Sequence, residues 1–198
     1  MARPIAKDHN AKREHILKTA ARVFADTGFA RASMSQVAKD CGVSKANIYH
    51  YYGSKDALLF DILYTYLRAL RDRIQALPLE GASPQAQLKL TVAETLHAYD
   101  GMDDEHKIQM EGIPLLPKDQ QEVLKGFQRD MVNQMSRIVA ALAPDVFAGD
   151  KSKLRSTVMS VFGMLNWFYM WNTGADDKAR SEYANLVTQL TLSGVKGL

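Results

Sequence analysis

The chain has 198 residues, 46% of them hydrophobic and 24% charged, a globular balance that supports a sizeable core and excludes wholesale disorder. Its single cysteine, Cys41, excludes an internal disulfide framework and suits a reducing compartment. The net charge of +3 is unevenly placed: residues 1–60 hold ten Lys and Arg against five Asp and Glu, so a polyanionic partner is expected for the first third.

The opening MARPIAKDHNAKREH has no apolar stretch of the kind a secretory leader needs. The most apolar run, residues 158–171, is shorter than the roughly 20 residues of a bilayer span and is interrupted by Ser160, Gly163 and Asn166. No membrane partner and a cytoplasmic location are expected.

Helical periodicity dominates and strand signals are poor. A first helix is predicted over about residues 12–27, with Ile16, Ala20, Val23 and Phe24 on one face and Gly28 as its stop. Ser33 and Gln36 stand at capping-box spacing at the head of a second, which carries Val37, Ala38 and Cys41 inward and ends at Gly42. Ser44 suits the N-cap of a short third helix over 45–51, broken by Gly53. Ser54 caps a fourth over 55–77, where Asp56 sits in the first turn and Leu58, Leu59, Ile62, Tyr66, Leu70 and Ile74 form a stripe. After the break PLEGASP, further helices are predicted at 85–100, 103–111, 118–142, 151–174 and 177–194. The expected fold is all-α, with a small basic N-terminal unit over 1–53 and a larger, near-neutral helical bundle over 54–198.

Two short helices joined by CGVS have the spacing of a helix-turn-helix. In such a unit Gly42 takes the tight turn, Val43 plugs the joint, and the second helix lies in a major groove. On that helix Ile48 and Tyr52, four apart, face inward, while Lys45, Ala46, Asn47, Tyr49, His50 and Tyr51 are displayed. Lysine donates to guanine, asparagine pairs with adenine, and an alanine touches a thymine methyl. Serine and tyrosine hydroxyls and free helix N–H groups donate to phosphate, and Lys55 would add one more backbone contact. The plainer alternative is a helical hairpin whose tyrosines and lysines only solvate the surface.

The stretch REHILKTAARVFADTGFARASMSQVAKDCGVSKANIYHYYGSKDALL resembles the DNA-binding region of the TetR family of bacterial repressors over about 45 residues. The resemblance rests on Ile16, Leu17, Ala20, Ala21, Phe24, Gly28, Phe29, Ser33, Val37, Ala38, Gly42, Val43, Ser44, Ile48, Tyr49, Tyr51, Tyr52, Ser54, Lys55 and Leu58. It implies that Ser35, Lys45, Ala46, Asn47, Tyr49 and His50 meet base edges or adjacent sugars. It places Ser33, Ser44, Tyr49, Tyr51 and Lys55 at phosphate-contacting positions. Arg3, Lys7, Lys12 and Arg13 form a basic leader suited to the backbone or a minor groove. The family also implies a homodimer on a palindromic double-stranded DNA operator, with a ligand pocket in the C-terminal bundle.

Within the bundle, the last helix carries Tyr183, Leu186, Val187, Leu190 and Gly194 in a stripe, and the preceding one is apolar on nearly every side from Val158 to Trp171. Such a helix needs partners all round, either within the chain or from a second subunit. GMLNWFYMW sets Trp167 and Trp171 one turn apart with Met164 nearby, and Met110, Met131 and Met135 stand on neighbouring helices. These residues are the expected lining of a plastic effector pocket, the alternative being plain core. The phrase also resembles the G-x-x-N-W-x-x-x-W/Y segment of TetR-type regulators of fatty-acid and steroid catabolism, which respond to acyl-CoA thioesters. Asn166 would then be a polar fixing point in the cavity, or else a satisfied helix–helix hydrogen bond. Lys125, Arg129, Arg137 and Arg155 are the cations available to its phosphates.

Lipophilic cations are the competing effector class, with Glu94, Asp100, Glu111 and Asp130 as available carboxylates. A ligand-independent DNA-binding protein is the other alternative. No catalytic motif is present: there is no G-x-S-x-G, glycine-rich phosphate loop or H-E-x-x-H, and His9, His15, His50, His97 and His106 lack metal-ligand spacing. Neither an enzymatic activity, a cofactor nor a metal is expected.

Overall fold

In the computed structural model the backbone is described for residues 3–198 and the side chains from His9 onward. Ten α-helices follow one another, with no strand among the described residues: α1 (Arg3–Thr27), α2 (Met34–Asp40), α3 (Lys45–Tyr51), α4 (Lys55–Gln75), α5 (Pro84–Ala98), α6 (Asp103–Gly112), α7 (Lys118–Leu142), α8 (Pro144–Phe147), α9 (Lys151–Trp171) and α10 (Asp177–Gly194). Short 3₁₀ turns occupy Ile113–Leu115 and Val195–Gly197. The fold is all-α, as the periodicity predicts. α1 begins nine residues before the expected position, because the apolar stripe that periodicity detects starts only at Ile16. The short α8 stands in a segment expected to be a plain connection.

Two compact units make up the chain. The first comprises Met1–Leu67 together with Asp104–Leu124, and the second Arg68–Asp103 together with Lys125–Leu198. The core of the first unit is built from Ile16, Val23 and Phe24 of α1, Val37 of α2, Ile48 of α3, and Leu58, Leu59, Ile62, Leu63 and Leu67 of α4. α6 belongs here as well. A Cβ on Gly112 would come 3.3 Å from Leu59 Cδ1, so the end of α6 lies tight against α4. Two polar contacts fix its register: Lys18 Nζ donates to the buried Glu105 at Oε1 (3.1 Å), and the Tyr66 hydroxyl meets the buried His106 at Nδ1 (2.8 Å).

In the second unit α5 is the central element. Its Leu88, Val92 and Leu96 are fully buried, and it packs along α10 and against α9. Met131, Met135, Ile138 and Val139 of α7 and Val158, Val161, Leu165 and Phe168 of α9 complete this core. Arg180 is buried too, donating to Leu96 O at 3.2 Å and to Asp100 at 3.0 Å, so α10 is pinned to the end of α5.

Helix boundaries follow local chemistry. The hydroxyls of Ser33, Ser44, Ser54 and Ser83 each accept the backbone N–H three residues on, as Asp150 and Asp176 do for α9 and α10. At Ser33 only half of the expected capping box forms, since Gln36 Nε2 reaches forward to Asp40 instead. α2 closes in a Schellman turn: Val43 N–H donates to Ala38 O at 3.0 Å and Gly42 N–H to Lys39 O at 3.1 Å, with Gly42 at φ +68°. A Cβ at Gly42 would touch nothing within 4 Å. Gly42→Ala is therefore predicted to cost about 1–2 kcal/mol from backbone strain alone. Thermal unfolding reads this directly, and an unchanged Tm would show that the turn relaxes freely.

Candidate nucleic-acid interface

The α2–turn–α3 segment presents a short helix with one side sunk in the protein. Ile48 is fully buried and Tyr52 nearly so, as their four-residue spacing predicts. Lys45, Ala46, Asn47, Tyr49 and His50 are exposed, together with Ser33, Ser35 and Ser44. Val43, expected to plug the joint, is only half-buried. Ten of the residues singled out from the sequence for DNA contact thus fall into a displayed group of eight and two that are partly covered, Tyr51 and Lys55.

Tyr51 is half-buried because His9 of α1 stacks on its ring, with centroids 5.0 Å apart, and His50 meets it edge-on. Lys45 Nζ lies 5.9 Å from the Tyr49 ring one turn away, a geometry that keeps both side chains on the outer face. The N-terminal end of α3 also offers free backbone N–H groups, the arrangement that suits a phosphate.

Lys55 is placed differently from the sequence expectation. Its ammonium donates to Phe29 O at 2.6 Å, Ala32 O at 2.9 Å and Ala30 O at 3.3 Å, and lies 4.4 Å from the Phe29 ring centroid. An ammonium has three N–H donors, and here the turn after α1 has a carbonyl for each. A phosphate could take this group only by displacing them. Arg13, expected in a basic leader, is bound to Asp61 of α4. Lys12 is exposed, and the side chains of Arg3 and Lys7 lie outside the described residues.

The seven residues expected to line an effector pocket differ widely in burial. Met131 and Met135 are core residues of α7. Asn166 is half-buried and accepts a hydrogen bond of 2.7 Å from the Tyr99 hydroxyl, the helix–helix alternative for this side chain. Met164 lines an open groove of about 390 Å³ between α9 and α10, with Ser156, Ser160, Leu190 and Gly194. Trp167, Trp171 and Met110 are 62%, 57% and 69% exposed. The reason for the tryptophans is angular: on α9 the inward face is taken by Val158, Val161, Leu165 and Phe168, Trp167 projects from the opposite side, and Trp171 lies at the flank, edge-on to Phe168 and to Tyr183 of α10.

The carboxylates available to a cationic effector are engaged or on the surface. Glu94 pairs with Arg73, Asp100 with Arg180 and Asp130 with Arg71, and Glu111 is exposed. Of the four cations considered for phosphates, Arg137 lines a polar groove of about 390 Å³ with Gln75, Glu80, Gln87 and Gln134. Cys41 is buried in the turn between α2 and α3, and burial pushes its thiol pKa up, which disfavours the reactive thiolate. No group of three or more metal-ligating side chains occurs among the described residues, and none of their helices is long and apolar enough to cross a membrane.

Fold and surface together define a helix-turn-helix regulator. Residues 16–62 match the family described as bacterial regulatory proteins, tetR family, and residues 81–195 the tetracyclin repressor-like C-terminal domain. The chain belongs to the TetR family and is a DNA-binding transcriptional regulator, not an enzyme. A TetR-family transcriptional regulator from Bordetella parapertussis 12822 is 30% identical, with a TM-score of 0.85 over 94% of this chain and 96% of that one. AibR in complex with isovaleryl coenzyme A and operator DNA shares the fold at 21% identity and a TM-score of 0.73, over 91% of this chain and 98% of that one. FadR from Bacillus subtilis in complex with stearoyl-CoA does so at 19% and 0.67, over 91% and 98%. Among curated relatives, the uncharacterized HTH-type transcriptional regulator YerO of Bacillus subtilis is 35% identical over 82 residues. That match spans 40% of this chain and 28% of YerO's own length.

Nothing local in the sequence signals the roles of His9 and Asp61. Each acts through a neighbour brought close only by folding. Two substitutions separate scaffold from reader. Lys55→Ala removes charge-assisted bonds to carbonyls and is predicted to lower stability by on the order of 1–3 kcal/mol. The salt dependence of DNA binding should stay unchanged; a slope smaller by about one phosphate contact would restore Lys55 to the interface. Asn47→Ala should leave stability intact and relax preference at one base pair by on the order of 1–3 kcal/mol. Equal loss on specific and random duplexes would remove Asn47 from the readers.

Proposed function

We propose that the chain is a repressor that binds a palindromic operator as a homodimer and is released from it by a small apolar effector, with an acyl-CoA thioester as the favoured class. DNA reading falls to the unit over 1–53, and effector binding and dimerisation to 54–198. The observation that carries the DNA half is the exposed face of α3, where Lys45, Ala46, Asn47, Tyr49 and His50 stand clear around a buried Ile48. Ser33, Ser35, Ser44 and Tyr51 supply neighbouring hydroxyls, and a cytoplasmic location suits this role.

The homodimer is supported by the apolar surface of the last two long helices. Met159, Trp167, Met170 and Trp171 of α9 and Leu186 and Leu190 of α10 are all exposed. Gly163, Ser156 and Ser160 lie among them on α9, and Gly194 on α10, small residues that let a facing helix approach closely. A second copy presenting the same two helices would cover this face in a two-fold arrangement. On this reading Trp167 and Trp171 belong to the subunit interface.

Acyl-CoA is favoured for two reasons. Solved proteins of the same fold hold isovaleryl coenzyme A and stearoyl-CoA. The carboxylates a lipophilic cation would need are already paired with arginines or exposed. Arg137, in its polar groove, is the best-placed cation for the phosphates. Release is a linkage effect: the effector must prefer a dimer whose two α3 helices no longer match successive major grooves about 34 Å apart. A preference of about 1–3 kcal/mol weakens DNA binding about 5- to 150-fold.

The test begins with a duplex selected by the protein from a random-sequence library, labelled for fluorescence anisotropy. Acyl-CoAs of graded chain length should release it with increasing potency, while free CoA and a lipophilic cation leave it bound. Release by the cation alone would move the protein to the multidrug class, and no release by any compound would favour a ligand-independent regulator. Separately, Leu190→Glu should convert a dimer to a monomer in sedimentation velocity and shift tryptophan emission to the red. A variant that stays dimeric would remove α10 from the interface.

A further inference from the structure

Asp61 stands on α4, six residues past Lys55, and collects donors from two other elements. Arg13 of α1 approaches with two nitrogens, Nε at 3.0 Å from Oδ2 and Nη2 on Oδ1. The hydroxyl of Tyr52, the residue that closes α3, donates to Oδ2 at 2.6 Å. Arg13 Nη2 also lies 3.4 Å from Thr65 Oγ1, one turn further along α4. Three elements therefore meet on one carboxylate, away from the displayed face of α3.

The geometry matters because α3 has few other holds. It is seven residues long, and only Ile48 among them is buried. Ile48 anchors the middle of the helix and the turn from α2 holds its start; an apolar contact is not directional, so Ile48 by itself sets no rotation about the helix axis. The Tyr52 hydroxyl bond is directional, and it lies one turn beyond that pivot. Burial, together with the hydrogen bond to Asp61, raises the Tyr52 pKa and keeps its hydroxyl protonated as a donor. Arg13 neutralises the carboxylate and ties the same point to α1.

The geometry points to Asp61 as a positioning residue for sequence reading: through Tyr52 it sets the rotation of α3, and through Arg13 it locks that setting to α1. It touches no DNA itself. The inference rests on α3 being the reading helix. Base-edge contacts need their donors placed to within about 0.5 Å and 10–20°, so a small rotation of α3 breaks them. Phosphate contacts come from long flexible side chains and follow the number of charges neutralised, so non-specific binding tolerates the same rotation. The hub therefore governs the ratio of specific to non-specific affinity, whereas a purely structural contact would change stability and leave that ratio alone.

The experiment uses the full chain, a duplex selected by the wild-type protein from a random-sequence library, and a scrambled duplex of equal length. Tyr52→Phe and Asp61→Asn are compared with wild type by anisotropy across a salt series, well below each variant's unfolding temperature. Tyr52→Phe keeps the ring and the charge, and is expected to bind the selected duplex about tenfold more weakly, with the scrambled duplex and the salt slope unchanged. Asp61→Asn is expected to show a similar loss on the selected duplex although it removes a negative charge. The double variant should lose less than the sum of the two single losses, since Tyr52 acts through Asp61. Unchanged specific binding by Tyr52→Phe, or equal loss on both duplexes, overturns the role. Tighter binding of Asp61→Asn to both duplexes would make Asp61 a repelling charge only, and overturns it as well. If the wild type selects no preferred duplex, the assignment of α3 as reader fails; a successful selection followed by any of those outcomes removes Asp61 alone.

Discussion

A helix of seven residues does not persist in water by itself, because nucleation is costly and few hydrogen bonds repay it. α3 is such a helix, and five of its seven side chains are exposed. Its order must come from its ends and from one buried contact. The Schellman turn at Gly42 and the Ser44 cap define its start, Ile48 anchors its middle, and Tyr52 holds its end to Asp61. The rest of the first unit supplies the floor beneath Ile48 and the acceptors around Tyr52.

α4 supplies much of the first unit's core. Its stripe of Leu58, Leu59, Ile62, Leu63 and Leu67 fills the first unit's core, while its polar residues are used as ties. Lys55 closes the carbonyls left open after α1, and Asp61 joins α1 to the end of α3. α6 is registered on the same scaffold by the Lys18–Glu105 ion pair and the Tyr66–His106 bond. Polar contacts of this kind are directional, so they select one packing among several apolar alternatives.

The second unit inverts the usual distribution on two of its helices. α5 buries Leu88, Val92 and Leu96, and α9 and α10 pack against it. Their outer faces carry Met159, Trp167, Met170, Trp171, Leu186 and Leu190 exposed among polar residues. Large aromatic side chains at a surface mark a site that another surface is expected to cover.

Local chemistry determined the helices themselves. Ser44, Ser54, Ser83 and Pro84 mark starts, Gly28 and Gly42 mark stops, and the three-to-four-residue spacing of apolar side chains marks each buried stripe. These are effects within a turn or two of chain, so they survive without knowledge of the fold. The same spacing separates Ile48 and Tyr52 from the residues displayed on α3. Tertiary structure alone decided what the polar side chains do. Lys55, read as a free cation, finds three carbonyls more than twenty residues away, and Arg13 finds Asp61 across 48 residues of chain. It also decided which side of an almost wholly apolar α9 faces inward, since a helix without a polar face carries no periodic signal to orient it. Spacing along the chain fixes which residues share a helix face; only packing determines what that face meets.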